Sequence, residues 1–304
     1  MIYDCIIIGG GISGLSAAIY LANANQSILI IDDSCGGNIL NAPSIRNYPG
    51  FKNITGIDLI QKINDQCINL KITCTYEKVD SIQQTSDYFY VNTSYYGKYY
   101  GKTIIIATGT KHKELDIPIV ESKVHYCALC DGEFYKDKIV AVIGGGNSAL
   151  SSAIYLKRIG ATPIIYCRSK IRAVESLIIK ANELSIDIIQ NTKFVSIDHN
   201  VLSYKDPNNN SYQSAVSGVF VCIGQIPNID CTKSLKIKLG DNEYTKLGYI
   251  ETGVYHLDYD HMTNINGVFA CGSVIGYKYD QAIIAAGDGA TCGLEVINYL
   301  NSIS

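Results

Sequence analysis

Residues 3–14 read YDCIIIGGGISG, an apolar stretch that ends in a glycine-rich turn. The β-branched run before Gly9 predicts a buried strand, and the apolar spacing from Leu15 to Ala24 predicts a helix. A second apolar run, Ser27 to Ile31, predicts the next strand. This order of strand, turn, helix and strand is typical of a βαβ unit.

The glycines of the turn have the spacing Gly9-x-Gly11-x-x-Gly14. In a dinucleotide-binding turn, the first glycine makes the bend, the second lets the backbone approach a pyrophosphate, and the third allows close helix packing. Asp32 ends the following strand, where a carboxylate accepts a hydrogen bond from a ribose hydroxyl. We therefore predict a dinucleotide site here rather than a purely structural turn.

A second unit of the same kind begins at the strand Lys138 to Ile143. That strand leads into Gly144-x-Gly146-x-x-Ala149, and a helical pattern follows it up to Arg158. Because the pattern occurs twice in one chain, we predict two nucleotide-binding domains.

The second unit also has a second predicted strand, Thr162 to Tyr166, which corresponds to Ser27 to Ile31 in the first unit. The residues that follow these two strands differ in charge. Where the first unit has Asp32 and Asp33, the second has Arg168, Lys170 and Arg172. Guanidinium groups form paired hydrogen bonds with phosphate, so these side chains predict a site for a dinucleotide with a 2′-phosphate. The alternative is a set of solvated surface charges, which are common.

The length of 304 residues exceeds what one compact core usually sustains, which predicts two domains. The C-terminal part contains one predicted strand, Gly267 to Ala270, and one long helix, Gln281 to Leu300, which is too little for a third domain. We expect it to complete the first domain. The predicted fold is α/β, with two Rossmann-like, three-layer nucleotide-binding domains, the second inserted into the first. The predicted boundaries are residues 1–112 with 241–304, and residues 113–240.

The charge balance excludes some classes of partner. Lys and Arg total 25 and Asp and Glu total 28, which gives a net charge of −3 and argues against nucleic-acid binding. No Lys or Arg precedes Arg46, and three glycines interrupt the apolar stretch from Cys5 to Ala24. We therefore expect neither a signal peptide nor a membrane span, and a cytoplasmic protein that binds small molecules and proteins.

The eleven cysteines do not suggest a secreted disulfide framework, and most of them are predicted to be buried thiols. The exception is the pair Cys127-x-x-Cys130, which Asp131 follows directly. Two sulfurs at this spacing can hold two electrons as a dithiol and release them as a disulfide, and Asp131 can exchange the required proton. Half of a zinc site is the alternative, but only His112 and His125 are further candidates, and we predict no metal.

A set of short motifs runs through nearly the whole chain and is more specific in combination than any one of its members. In chain order these motifs are Gly9-x-Gly11-x-x-Gly14, Gly36-Gly37-Asn38, Asn47-Tyr48-Pro49-Gly50-Phe51, Ala107-Thr108-Gly109, Cys127-Ala128-Leu129-Cys130-Asp131-Gly132, Gly144-Gly145-Gly146-Asn147-Ser148-Ala149, Gly224-Gln225-Ile226-Pro227-Asn228 and Gly267-Val268-Phe269-Ala270. With them the chain closely resembles the low-molecular-weight thioredoxin reductases, which are FAD-dependent pyridine nucleotide-disulfide oxidoreductases.

The resemblance implies FAD in the first domain, NADPH in the second, and a homodimer that reduces thioredoxin or a thioredoxin-like protein. It implies that Cys127 attacks the partner disulfide, that Cys130 is the sulfur near the flavin, and that Asp131 is the acid. It also implies rotation of the domains about hinges near residues 110–118 and 240–248.

The resemblance further assigns binding residues to each cofactor. The FAD residues are Gly9, Gly11, Ile12, Ser13, Gly14, Asp32, Asp33, Gly37, Asn38, Asn47, Val79, Ala107, Thr108, Gly109, Gly272, Ser273, Gln281 and Ala282. The NADPH residues are Gly144, Gly146, Asn147, Ser148, Ala149, Arg168 and Arg172.

Four motifs depart from the family pattern, at five positions. Tyr166 and Cys167 replace the His and the first Arg of the 2′-phosphate motif, which weakens the expected preference for NADPH over NADH. Ser273 replaces the usual Asp after Gly272, so FAD binding could rely on a hydroxyl instead of a carboxylate. Asn38 replaces a Gln, and Asp280 replaces an Arg.

Two further hypotheses remain open from the sequence. In the first, the same fold uses another electron donor or acceptor, such as reduced ferredoxin, or oxygen as in dithiol oxidases. In the second, the chain is a flavin-binding sensor without turnover. The intact second glycine turn argues against the first hypothesis, and the cysteine pair with its neighbouring Asp131 argues against the second.

Overall fold

The computed structural model describes residues 1–34, 36–42, 44–95, 97–240, 248–254, 256–276 and 281–303. The chain divides into two compact units, Met1–Lys111 with Ile226–Ser304, and His112–Gln225. The second unit is therefore inserted into the first, as the sequence predicts. No helix among the described residues is both long and apolar enough to cross a membrane.

Both units contain strands and helices in their described parts. The strands are β1 Ile2–Ile8, β2 Ile28–Ile31, β3 Thr73–Thr75, β4 Val79–Gln84, β5 Phe89–Thr93, β6 Lys98–Ile106, β7 Thr110–His112, β8 Ile119–Val120, β9 Val124–His125, β10 Ile139–Ile143, β11 Thr162–Tyr166, β12 Asp187–Ile189, β13 Lys193–Asp198, β14 Val201–Lys205, β15 Ser211–Ala215, β16 Val219–Val221, β17 Gln225–Pro227 and β18 Val268–Ala270. The α-helices are α1 Ile12–Asn23, α2 Gly56–Asn69, α3 Ala128–Asp131, α4 Asn147–Arg158, α5 Glu175–Glu183 and α6 Ala282–Ile303. The 3₁₀ helices are Gly37–Asn41, Gly132–Tyr135, Asp230–Leu235 and Gly272–Ile275.

The first unit is built on one sheet in the order β3-β2-β1-β6-β5-β4, with β18 also paired to β6. Strand β1 lies parallel to β2 and β6, whereas β4, β5 and β6 form antiparallel pairs. Successive side chains of a strand point to opposite faces, so Ile7 enters the core with α1 and α6 while Ile6 and Ile8 enter the core on the other face. This burial on both faces explains why β1 is apolar without alternation.

The second unit has a parallel sheet in the order β12-β11-β10-β16-β9. One face packs against α4 through Val140 and Val142. The other face carries Ala141 and Ile143, which share a core with β13 and β14 of a four-stranded sheet ordered β15-β14-β13-β8. Each unit therefore has a core on both faces of its main sheet, which gives the predicted layers.

The boundary between the units differs from the sequence analysis at one end. The chain enters the second unit within β7 and leaves it within β17, between residues 225 and 226 rather than after residue 240. Cys231 and Leu235 of the 3₁₀ helix pack in a core of the first unit, which accounts for the earlier boundary. Most of the hinge predicted near 240–248 lies outside the described residues.

Candidate redox site and dinucleotide turns

The first glycine turn lies between β1 and α1 and is closed tightly by its neighbours. Gly9 has a φ of 109°, and a Cβ there would lie 2.3 Å from the carbonyl oxygen of Ala107. A Cβ on Gly14 would lie 2.0 Å from the carbonyl oxygen of Gly9. Because both contacts are with backbone, neither position can accept a side chain without moving the strand or the helix.

A cavity of about 330 Å³ lies beside this turn. Five of the sequence-predicted FAD residues line it, namely Gly9, Asp32, Asp33, Val79 and Thr108. One carboxylate oxygen of Asp32, Oδ2, is buried and has no hydrogen-bond partner in the described part of the chain, while Oδ1 accepts a bond from Ser34 Oγ at 3.3 Å. A buried acceptor without a donor is costly, so the site fits a ligand hydroxyl at this atom.

Several polar residues that were not predicted from the sequence also line this cavity. They are Glu77, Lys78, Lys111, Asn228 and Asp230. The Glu77 carboxylate already accepts hydrogen bonds from the hydroxyls of Thr75, Thr93 and Tyr99, and those from Thr93 and Tyr99 are the main cause of its lowered pKa. Asp230 pairs with Lys111 at 2.6 Å and with Lys233 at 3.0 Å, and these lysines lower the pKa of Asp230 to about 2.

The other predicted FAD residues of the first unit occupy the turns around α1 and the start of α6. Gly11, Ile12 and Ser13 form the N-terminal end of α1, and Gly37 begins a 3₁₀ helix. Side-chain bonds hold two more pairs of segments together, since Asn38 Nδ2 donates to Thr110 and Asn47 Nδ2 donates to Gln281 Oε1 at 2.7 Å. Of the remaining predicted FAD residues, Ala107 and Gly109 follow β6. Ser273 lies in a 3₁₀ helix, and Ala282 begins α6.

A buried charge cluster supports the turn at Gly272. The Gly272 N–H donates to Asp288 Oδ2 at 2.7 Å, and the other oxygen of Asp288 lies 2.9 Å from His261 Nε2. His261 Nδ1 lies 2.9 Å from Glu295 Oε1. Burial alone would lower the pKa of His261, but the bonds to Asp288 and Glu295 and their charges raise it to about 10.

This cluster anchors the turn that carries Ser273 and is not predicted from the sequence. Its members come from the segment before β18 and from two turns of α6, so no local motif contains them. The predicted charge change at Asp280 lies outside the described residues.

The second glycine turn joins β10 to α4. Gly144 has a φ of 148°, and a Cβ there would lie 2.2 Å from the carbonyl oxygen of Cys222. At Gly146, by contrast, an added Cβ would meet nothing within 4 Å, so the turn is open on the side where a ligand would lie. Ala149 is fully buried in the first turn of α4, whereas Asn147 and Ser148 are exposed.

The basic loop after β11 packs directly on this turn. The N–H of Arg172 donates to the carbonyl oxygen of Gly145 at 2.7 Å, and the side chains of Arg168 and Arg172 are exposed. Tyr166 and Cys167 are 0% and 2% exposed. The two replaced positions of the 2′-phosphate motif are therefore buried, and the exposed basic side chains of this loop are Arg168, Lys170 and Arg172.

Cys127 and Cys130 form the disulfide that their spacing predicts, with their Cα atoms 5.3 Å apart. Cys127 caps the short helix α3, and its sulfur accepts a hydrogen bond from the N–H of Cys130 at 3.0 Å. Cys130 is exposed and Cys127 is half-buried. Asp131 follows directly, and its Oδ2 lies 3.1 Å from His125 Nδ1.

The environment of His125 differs from the one that the zinc hypothesis required. Its ring lies between Asp131 and the hydroxyl of Tyr135, and no group of three or more His, Cys, Asp or Glu side chains in the described ranges could hold a metal ion. His112 stacks on the ring of Tyr126 instead. The carboxylate of Asp131, which follows the cysteine pair in the sequence, thus has an imidazole beside it.

This chain is similar to known proteins over nearly its whole length. The sequence profile of a family described as pyridine nucleotide-disulphide oxidoreductase matches residues 3–289. A thioredoxin reductase from Buchnera aphidicola is 36% identical over 322 residues, which cover 98% of this chain and 97% of that protein.

Two solved structures have a similar fold over the same extent. The thioredoxin reductase of Lactococcus lactis has a TM-score of 0.87 at 32% identity, and that of T. acidophilum has 0.86 at 30% identity. Each alignment covers 99% of this chain and 99% of the other.

Proposed function

The chain belongs to the pyridine nucleotide-disulphide oxidoreductase family, and on that premise we propose that it is a thioredoxin reductase. It binds FAD in the first unit and NADPH in the second. Through Cys127 and Cys130 it reduces the disulfide of thioredoxin or a thioredoxin-like protein. Relatives that match this chain over nearly their whole length carry the name thioredoxin reductase, which supports the proposal.

The observation that carries this proposal is the Cys127–Cys130 disulfide with Asp131 beside it. The N–H of Cys130 donates to the Cys127 sulfur, and the same bond would stabilise a thiolate at Cys127 after reduction. That preference agrees with Cys127 as the attacking sulfur. Asp131 is close enough in the chain to exchange the proton that the reaction moves.

The first unit fits FAD because a buried oxygen of Asp32 has no donor among the described residues, and because Gly9 and Gly14 of the adjacent turn admit no side chain. When bound, FAD supplies two-electron redox chemistry between a nicotinamide and a disulfide. Gly11 and the amides of Ile12 and Ser13 would hold the pyrophosphate, and Asp32 would accept a ribose hydroxyl.

The second unit would hold NADPH at its own glycine turn. Gly146, Asn147 and Ser148 would face the pyrophosphate, and the exposed Arg168 and Arg172 would hold the 2′-phosphate. Since Tyr166 and Cys167 are buried, the paired hydrogen bonds that distinguish NADPH from NADH would come from these two guanidinium groups.

The exchange with the partner uses only the two sulfurs and proton donors. The Cys127 thiolate attacks one sulfur of the partner disulfide, and Cys130 then attacks the Cys127 sulfur of the mixed disulfide. The partner gains two electrons and two protons, and the Cys127–Cys130 disulfide forms again.

The proposal is tested first with the purified, FAD-loaded protein. Under anaerobic conditions NADPH should bleach the flavin absorbance, and Cys127→Ser should keep this bleaching while losing disulfide reduction. Cys74→Ser, which removes an exposed cysteine on β3, is the matched control and should behave like the wild type. Unchanged turnover in Cys127→Ser, or a protein that stays colourless after reconstitution with FAD, would contradict the proposal.

The roles of the two sulfurs are separated by trapping. Cys130→Ser keeps the attacking sulfur but lacks the one that resolves the mixed disulfide, so it should accumulate a covalent complex with the partner. Intact-mass spectrometry detects that complex, and Cys127→Ser should not form it. If only Cys127→Ser forms the complex, the roles are reversed.

We further propose that the enzyme is a cytoplasmic homodimer. The buried state of most of the described free cysteines supports the location. Light scattering coupled to size exclusion measures the mass, for which a dimer would give twice 33.2 kDa.

A further inference from the structure

The imidazole of His125 forms a bridge between two groups of the second unit. Its Nδ1 lies 3.1 Å from Asp131 Oδ2, and its Nε2 lies 2.6 Å from the hydroxyl of Tyr135. With a neutral imidazole, Nδ1–H donates to the carboxylate and Nε2 accepts from the phenol, so every atom of the bridge is satisfied. The carboxylate in this bridge directly follows the cysteine pair.

Packing fixes the orientation of the ring. His125 lies opposite Phe220 in the pairing of β9 with β16, and the two rings stack with centroids 5.2 Å apart at 27°. Tyr135 packs edge-on against both rings, with centroids 5.3 Å from His125 and 5.4 Å from Phe220. Phe220 and Tyr135 are 0% and 3% exposed, so the imidazole has little freedom to turn away from Asp131.

The same ring also reaches solvent. His125 and Tyr135 line a cavity of about 670 Å³, together with Lys123, Lys138 and neighbouring polar residues. Asp131 and Tyr135 therefore contact the imidazole directly, and the two lysines face it across the cavity. Burial, and secondly the charge of Asp131, raise the pKa of Tyr135, so the phenol stays neutral and orients the ring.

We propose that His125 is a positioning residue for the thiol–disulfide exchange, which holds the Asp131 carboxyl beside the cysteine pair and connects it to cavity water. This role rests on the proposed function of Asp131 as the acid. From the sequence alone, His125 was only a weak candidate for a metal ligand.

The two protons that the partner gains with its two electrons come from Asp131 and from water. As the Cys127 thiolate bonds to one partner sulfur and the partner disulfide breaks, Asp131 gives its proton to the leaving thiolate. The Cys130 thiol then returns a proton to Asp131 while its sulfur attacks Cys127, and the second partner thiolate takes a proton from water. Between the two transfers, His125 Nδ1–H bonds the ionised carboxylate and keeps it in place.

The test compares the pH dependence of kcat for partner reduction in wild type, His125→Phe, Asp131→Asn and the double variant. Phenylalanine keeps the stacked ring and removes both nitrogens. We expect His125→Phe to lower kcat about tenfold at and below neutral pH, because Asp131 loses its fixed position and general acid–base catalysis is worth on the order of 10²–10⁴. The alkaline limb should also move to higher pH, because the ionised carboxylate loses the N–H donor that stabilises it, while bleaching by NADPH stays unchanged. The double variant should be no slower than Asp131→Asn, because His125 acts through Asp131.

His199→Asn is the matched control, because this exposed histidine also bonds two carboxylates, Asp198 and Glu121, outside the redox site. A His125→Phe profile that superimposes on the wild type, or losses that multiply in the double variant, would overturn the inference and leave the proposed function intact. A wild type that bleaches with NADPH but reduces no disulfide would refute the proposed function itself.

A second measurement covers the case in which His125→Phe does not fold. The ring resonances of His125 are followed against pH by NMR in wild type and Asp131→Asn. The two curves should differ, because the imidazole loses its ionised partner in the variant. Identical curves would show that the two groups are not coupled and would overturn the inference.

Discussion

The two glycine turns share a backbone but differ in what surrounds them. The first has Gly14 where the second has Ala149, and it leads to a partly buried acid, Asp32, with an unpaired oxygen. The second leads to the exposed bases Arg168 and Arg172. A buried acceptor suits a neutral ribose hydroxyl, whereas exposed cations suit a phosphate that stays partly hydrated. Changes in the first unit should therefore have larger effects than matching changes in the second.

The largest effect is expected at the third glycine of the first turn. Gly14→Ala places a Cβ 2.0 Å from the carbonyl oxygen of Gly9, so α1 must move away from β1. We expect FAD binding to weaken by about a hundredfold or more, equivalent to about 3 kcal/mol. The ratio of flavin to protein absorbance after reconstitution measures this loss.

The matched change in the second turn is Ala149→Gly. It relieves no steric clash and removes one methyl group from the first turn of α4. It should cost about 1 kcal/mol of stability and leave the KM for NADPH unchanged. If both variants lose their cofactors to the same degree, the proposed difference between the turns is wrong.

The next effect concerns the buried charge cluster of the first unit. Because the folded pKa of His261, about 10, lies above the usual histidine value, its stabilisation is complete below about pH 6.5 and is lost as pH rises through 10. The contribution is on the order of 3 kcal/mol. Urea unfolding followed by flavin fluorescence should show a falling midpoint between about pH 7 and pH 10.

His261→Gln should lower the midpoint at neutral pH and flatten this dependence, because Asp288 and Glu295 lose their charged partner. His199→Gln, at an exposed histidine, should change neither quantity. If the urea midpoint of His261→Gln falls as steeply with pH as that of the wild type, another group causes the loss of stability at alkaline pH.

A smaller effect is expected for the acid after β2. Asp32→Ala removes a buried carboxylate that has an unpaired oxygen, so FAD affinity should fall about tenfold to a hundredfold. The apoprotein should keep its stability or gain some, since the unpaired oxygen is gone. Isothermal titration gives the affinity and thermal unfolding of the apoprotein gives the stability. Equal destabilisation of the apoprotein and the FAD-loaded protein would mean that Asp32 supports the fold rather than the ligand.

The corresponding change in the second unit affects the choice of nucleotide. Arg168→Ala and Arg172→Ala should each raise the KM for NADPH about tenfold, the loss of one charge-assisted contact worth about 1.4 kcal/mol. The KM for NADH should stay within about twofold, because NADH lacks the 2′-phosphate. Steady-state kinetics with both nucleotides measure the ratio, and a parallel rise for NADPH and NADH would remove phosphate recognition from these arginines.

Local sequence predicted the parts of the site that are local in the fold. The βαβ turns, Asp32 and the Cys127–Cys130 disulfide follow from spacing within a few residues, and the helix starts only a few positions before the predicted Leu15. That early start reflects Gly14, whose missing side chain lets the first turn of α1 lie against the strand.

Contacts between distant segments could not be predicted in this way. Gly272 meets Asp288 only because α6 returns beside the glycine turn, and Asn47 meets Gln281 across 234 residues. His125 illustrates the same limit. Its residue type suggested a metal ligand, but its partners depend on the pairing of β9 with β16, which places its ring over Phe220.

The smallest effect is expected at Lys170, the basic residue between the two arginines. Its ammonium is exposed and, unlike a guanidinium, forms no paired bonds with a phosphate, so it adds only a screened charge. Lys170→Ala should change the KM for NADPH by less than about threefold at physiological salt, and less again at higher ionic strength. If its effect equals that of Arg168→Ala and disappears with salt in the same way, then net positive charge, and not paired guanidinium bonds, selects the nucleotide in the second unit.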